Sequence, residues 1–225
     1  MLGLNKIKEL LQKKSASEKK ALNHVIINLF PFVTTDEKKV DEYKKFLSLI
    51  GDMMSLQVEK DIPIFTLNIG KASDIIDQTA LSYYTEELLK KAKEHKINVT
   101  IFGRWYELTG ELVEALKVIN NETKEYDSFF FNICINYDSR QEIADGCRVI
   151  IRKILDEKAD VDSITPELLK ENIYSSYFVP PDLVIESGSR FTGTFMFDSE
   201  NARIIFMQKS VNEIVKADIM KFLDN

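Results

Sequence analysis

Apolar residues concentrate in short runs, broken only by single polar residues, and between these lie longer stretches in which they recur every three or four positions. His24 to Phe30 (HVIINLF), Ile62 to Ile69 (IPIFTLNI), Ile97 to Phe102 (INVTIF) and Phe129 to Tyr137 (FFFNICINY) are runs of the first kind. Their length and their β-branched and aromatic content predict strands, and the first reads as a strand buried on both faces. Leu183 to Ile185 and Arg203 to Met207, after Pro180-Pro181, supply two more. Between the runs the pattern turns helical. Thr34, Thr35 and Asp36 offer caps for a long amphipathic helix reaching Val58. Further helices are expected from Gln78 to Lys93, Thr109 to Asn120, Ser139 to Leu155 and Asn212 to Leu223. Leu112, Val113, Leu116 and Ile119 mark the buried face of the second of these.

Strand-helix alternation of this kind predicts an α/β fold: a central, mostly parallel six-stranded sheet flanked by helices on both faces. No Gly/Ser/Pro linker, internal repeat or low-complexity tract interrupts it, so residues 1–225 are expected to form one domain. That domain would open with an amphipathic helical segment over residues 1–22, with Leu4, Ile7, Leu10 and Leu11 on one face, and close with a helix within 211–225. Ligands of open α/β sheets sit beyond the carboxyl ends of the strands. The segments to search for chemistry therefore follow Phe30, Ile69, Phe102, Tyr137 and Ile185.

Composition narrows the choices. A hydrophobic content of 44% against 29% charged residues excludes a disordered chain. The net charge of -6 argues against a dedicated nucleic-acid partner. No apolar run reaches the ~20 residues of a membrane-spanning helix. With no signal-peptide hydrophobic core at the N-terminus, the expected location is cytoplasmic, which leaves peripheral membrane contact open. Cys134 and Cys147 lack metal-ligand spacing and read as free thiols. His24 and His95 are too scattered for a histidine metal site, and His24, ahead of a buried strand, reads as a hydrogen-bonded edge histidine rather than a base.

No glycine-rich phosphate loop of the GxGxxG or GxxxxGK[ST] type follows a strand. Ser187-Gly188-Ser189, continued by Arg190, Thr192 and Gly193, is the one stretch suited to a phosphate: hydroxyls, mobile amides and a guanidinium. The alternative is an ordinary polar turn. Asn136-Tyr137-Asp138-Ser139-Arg140-Gln141-Glu142 closes the fourth strand and opens a helix. There Asp138 or Ser139 can act as cap and Glu142 as a capping-box carboxylate, and Arg140 and Glu142 are expected in a salt-bridge or interface network.

These two segments carry a family resemblance. Phe131 to Ile143 (FNICINYDSRQEI) resembles LNIALNYGGRxEI of the cis-prenyltransferases, the undecaprenyl diphosphate synthase family. Pro181 to Gly193 (PDLVIESGSRFTG) resembles that family's PDLLIRTSGExRLSG. Ile97 to Phe102 with the helix from Leu112 is similar to VRVIGD…LREAIEEAE, and His24-Val25-Ile26-Ile27 to HVAII. The resemblance implies six parallel strands, a dimer, and Mg²⁺-dependent condensation of isopentenyl diphosphate onto an allylic diphosphate. It assigns Ser187, Ser189, Arg190 and Thr192 to a vestigial isopentenyl diphosphate site, and Asn136, Tyr137, Arg140, Glu142 and Phe195 to a dimer interface.

The departures fall on the reactive positions. Ungapped counting from His24 places Phe30 where the family has the Asp of DGNxRWA, and an aromatic ring cannot ligate a hard cation. Glu186 stands for the first Arg of the diphosphate motif. Counting back from Phe206 puts Arg203 in place of a metal-binding Glu. The resemblance therefore implies a noncatalytic or regulatory subunit of a heteromeric cis-prenyltransferase, without catalytic residues, metal or cofactor of its own. Its partner would be a Mg²⁺-dependent catalytic paralogue, or a second copy of itself. The alternatives are a divergent stand-alone prenyltransferase, drawing metal ligands from Asp74, Asp77 and Asp138, and a non-enzymatic isoprenoid-lipid binder.

Overall fold

A computed structural model describes residues 22–29, 39–71, 78–157 and 160–224. The N-terminal segment 1–22, apart from Leu22, and Phe30, Asp74 and Asp77 lie outside the described residues.

Six strands form one sheet: β1 (His24–Asn28), β2 (Ile64–Asn68), β3 (Ile97–Phe102), β4 (Phe129–Cys134), β5 (Leu183–Ser187) and β6 (Arg203–Met207). Their order is β3-β4-β2-β1-β5-β6 and every pairing is parallel, so the expected mostly parallel sheet is wholly parallel. The helices are α1 (Lys39–Glu59), α2 (Gln78–His95), α3 (Gly110–Thr123), α4 (Ser139–Glu157), α5 (Pro166–Asn172) and α6 (Lys216–Leu223).

One sheet face is uniformly apolar. Val25, Ile27, Phe65, Leu67, Val99, Phe131 and Ile185 point into a core closed by α1, α2, α3 and α6. The other face carries Ile26, Ile64, Phe130 and Val184, capped by Phe102, Tyr137, Phe178 and Phe195. That second face also holds a row of buried polar residues, His24, Asn28, Thr66, Asn68, Asn132 and Glu186. Because side chains alternate along a strand, His24 and Asn28 share the face of Ile26.

Several sequence expectations are corrected. The fourth strand stops at Cys134, because Asn136 turns the chain with φ of 49°. The segment expected as one helix from Asn212 is a 3₁₀ turn, Val211–Glu213, followed by α6. Helix α5 was not anticipated, although its signals are present: Thr165 caps it, accepting from Leu168 N–H at 3.2 Å, with Pro166 as first helical residue. His24 is hydrogen-bonded as expected, but it opens β1 inside the sheet, between β2 and β5, and is not at an edge.

Candidate functional site

From β1 the chain first builds outward through β2, and only later lays β5 on β1's other side. The carboxyl ends of β1 and β5 are thus the point where strand order reverses, the place where such sheets bind ligands. There Asn28 and Glu186 are paired across the two strands, and Asn28 is paired with Asn68 on the other side. All three are buried. The segment after β5 folds back over them. Thr194 Oγ1 donates to Asn28 Oδ1 at 2.6 Å and accepts from Asn68 Nδ2 at 2.6 Å. Asn68 Oδ1 in turn accepts the Gly70 N–H at 2.9 Å.

Glu186 is the charged member of this cluster. Its Oε1 accepts the Thr192 backbone N–H at 3.0 Å, and the Thr192 hydroxyl lies 3.0 Å from both carboxylate oxygens. Burial pushes the Glu186 carboxyl above its ordinary range; the Thr192 bonds and a weaker hold from the Asn28 amide oppose that rise. The hold is weak because Asn28 Nδ2 makes no well-formed hydrogen bond.

The four residues expected at a diphosphate site do not converge. Ser187 is the half-buried last residue of β5, beside Met207 of β6. Ser189 and Arg190 are exposed on the loop, and Thr192 is committed to Glu186. Arg203 starts β6 opposite Leu183, and its guanidinium donates to Phe222 O at 3.2 Å. It therefore stands at the amino end of the sheet, away from Glu186.

Three of the five residues expected at a dimer contact are instead interior. Tyr137, Glu142 and Phe195 are 4%, 1% and 1% exposed. The Tyr137 hydroxyl donates to Glu142 Oε2, Glu142 Oε1 accepts Ser175 N–H at 2.9 Å, and Phe195 N–H donates to Tyr137 Oη at 3.2 Å. Glu142 is therefore neither a capping-box residue nor the partner of Arg140. The ring of Phe195 packs edge-on against Phe102 and Tyr137, and lies near His24. Burial raises the Glu142 carboxyl above its usual range, and burial together with the Glu142 charge raises the Tyr137 hydroxyl. Asp138 caps α4 by accepting Arg140 N–H at 2.9 Å, and it pairs with the Arg140 side chain and with Lys71. Partial burial works against its charge, but Lys71 and Arg140 outweigh it and hold the carboxyl well below the carboxylate range. Asn136 and Arg140 alone of the five reach the surface.

Asn28, Asn68 and Thr194 were missed by sequence reasoning. The signal was available, since Asn28 and Asn68 are the polar closing residues of otherwise apolar strands. A concavity of about 210 Å³ lies at the carboxyl ends of β3 and β4, lined by Lys71, Arg104, Asn136, Gln141 and Tyr174 among others. Arg104 there pairs with Asp145 at 3.3 Å.

The donors among the described residues do not suit Mg²⁺. Among the described residues no group of three or more His, Cys, Asp or Glu side chains is placed to hold a metal ion. Glu186 in β5 and Asp138 after β4 are taken up by Thr192, Lys71 and Arg140. A hard cation needs several free oxygens.

An all-parallel sheet of order 3-4-2-1-5-6, with a buried polar cluster at its switch point, defines an open α/β protein. Residues 68–225 match the family described as "Putative undecaprenyl diphosphate synthase", and the chain belongs to that family. Its relatives include the geranylgeranyl-diphosphate-specific tritrans,polycis-undecaprenyl-diphosphate synthases of Pyrococcus abyssi and Picrophilus torridus. The first is 27% identical over 60% of this chain and 52% of its own length, the second 29% over 60% and 54%. The chain thus spans about half the length of the curated relatives it matches. The fold is shared with lavandulyl diphosphate synthase from Lavandula x intermedia, solved with dimethylallyl diphosphate. That match has a TM-score of 0.75 at 18% identity and covers 91% of this chain and 94% of the other. A probable undecaprenyl diphosphate synthase from Campylobacter jejuni superposes with a TM-score of 0.65 at 16% identity, over 92% and 95%.

Proposed function

We propose that this chain is a noncatalytic subunit of a cis-prenyltransferase, acting beside a Mg²⁺-dependent catalytic paralogue that makes polyprenyl diphosphate. The observation that carries this reading is Glu186. A buried carboxylate stands at the switch point and occupies the Thr192 donors, where a diphosphate would need donors and cations. Like charges at close range in a poorly solvated site repel by several kcal/mol, on the order of 4 at an intermediate dielectric. A leaving diphosphate also needs charge stabilisation that this donor set does not offer. The test is condensation of isopentenyl diphosphate with an allylic primer. The chain alone should form no polyprenyl product, and adding the paralogue should yield a complex with activity above that of the paralogue by itself. Mg²⁺-dependent turnover by the isolated chain would overturn the reading.

A second reading, a divergent stand-alone prenyltransferase, draws on the relatives, which are named as synthases in their own right. Turnover by the isolated chain that is lost in Asp138→Asn would establish it.

A further inference from the structure

The loop after β5 is built around an anion that the chain itself supplies. Residues 188 to 193 form a short loop between two glycines with left-handed backbone, Gly188 at φ 99° and Gly193 at φ 78°. Such turns let backbone amides point inward at a common acceptor. In this loop the acceptor is visible: the Thr192 amide and hydroxyl both reach the Glu186 carboxylate at 3.0 Å. A neighbouring amide donor, Asn28 Nδ2, is fully buried on the paired strand and makes no well-formed hydrogen bond. Glu186 is 0% exposed, whereas Thr192 is exposed above it, so the loop closes over the carboxylate from the solvent side. Hydrogen bonds from an amide and a hydroxyl to an ionised oxygen are about twice as strong as neutral ones. They are what makes this buried charge tolerable.

We propose that Glu186 is a built-in anion plug: its carboxylate fills an oxyanion site formed by the 188–193 loop and Asn28, and excludes free phosphate-class anions from it. This inference rests on the reading of the chain as a noncatalytic subunit and deepens it. The loop offers two donors from Thr192 to one anionic group, and the Glu186 side chain occupies both. Removing the carboxylate leaves the Thr192 amide and hydroxyl without their acceptor, next to an Asn28 amide that already lacks a well-formed one, on a loop that carries Arg190.

The test is calorimetric titration of the full chain with inorganic pyrophosphate, for wild type, Glu186→Ala and Glu186→Gln. Circular dichroism and thermal melts establish which variants are folded. Wild type should bind at best weakly. Glu186→Ala should bind at least about tenfold more tightly, the gain expected when charge-assisted donors are freed and a repelling charge is removed. Glu186→Gln keeps the side-chain volume and so serves if the alanine variant is unfolded. It should also gain affinity, by a smaller factor, because the repulsion is gone. Adding Thr192→Val to Glu186→Ala should reverse the gain by threefold or more, which places the anion on the loop. Folded Glu186 variants that bind no more tightly than wild type would overturn the proposal, as would a gain that ignores Thr192→Val. Failure of the noncatalytic reading shows up elsewhere, as prenyl turnover by the wild-type chain.

Discussion

Tyr137 donates its hydroxyl hydrogen to the buried carboxylate of Glu142, tying the turn after β4 to the first helical turn of α4. The same oxygen accepts the Phe195 N–H, and the second Glu142 oxygen accepts the Ser175 N–H. Two residues that look like surface chemistry in the sequence therefore pin three separate segments together inside the chain. Asp198 extends the network, accepting from the Ser175 hydroxyl at 2.7 Å and from Lys170 at 2.6 Å.

Tyr137→Phe should accordingly act on folding. It leaves Glu142 Oε2 short of a donor and the Phe195 N–H without its acceptor. Leaving buried polar groups unsatisfied costs about 1–3 kcal/mol. Urea denaturation at neutral pH reads this as a lower midpoint with an unchanged slope. A variant within about 0.3 kcal/mol of wild type, inside the range of ordinary surface changes, would show that the hydroxyl carries no such burden.

Phe195→Ala removes a ring that is 1% exposed and packed on Phe102 and Tyr137. Truncation of a buried aromatic costs about 3–5 kcal/mol. The isolated chain should lose stability in a thermal melt, whatever its state of association. Weaker association with an unchanged melting temperature would instead place the ring against a partner.

Two glycines with the same backbone sign separate conformational cost from steric cost. Gly103 has φ of 97°, and a Cβ there would lie 2.4 Å from Ile135 O. Gly188 has φ of 99° with nothing within 4 Å of such a Cβ. Gly188→Ala should cost only the conformational strain, about 1–3 kcal/mol. Gly103→Ala should cost clearly more, because the β3 and β4 ends must also part. Denaturation midpoints in the reverse order would refute the steric account.

The pH dependence of stability has two opposed parts. His24 is fully buried; its Nδ1–H donates to Val179 O at 2.7 Å, leaving Nε2 to accept from the Thr66 hydroxyl at 2.8 Å. Burial lowers its pKa to about 4 from 6.5. A lowered pKa means that its contribution is complete above 6.5 and is lost as pH falls through about 4. Its full size is about 3 kcal/mol. Glu142 and Glu186 have raised pKa values, so their contributions are complete in acid and are lost as pH rises through those values. The stability difference between wild type and His24→Gln should therefore shrink from pH 7 to pH 4. An NMR titration should find the His24 ring still neutral at pH 5. Protonation near 6.5 would contradict the burial argument.

The sequence by itself fixes the layers of this protein and the positions of most strands and helices. The near-continuous apolar run at His24 to Phe30 marks a strand buried on both faces, as β1 is, and the spacing of Leu112, Leu116 and Ile119 marks one face of a helix. Those signals are local, because burial of apolar area rewards a pattern wherever its partner lies. The motifs around Asn136 and Glu186 likewise suffice to recognise the family. What tertiary structure alone decides is which way polar residues face. Glu142 and Phe195 look like interface residues in a string of letters, but Glu142 turns inward because Tyr137 and Ser175 offer donors there. Phe195 turns inward to pack edge-on against Phe102 and Tyr137. Arg203 and Glu186 look like paired charge reversals at one site, yet the parallel register of β5 and β6 sets them at opposite ends of the sheet. Asn28, Asn68 and Thr194 come from segments up to 166 positions apart and meet only because strand order reverses at β1. A hydrogen bond depends on distance and angle, and no one-dimensional pattern carries either.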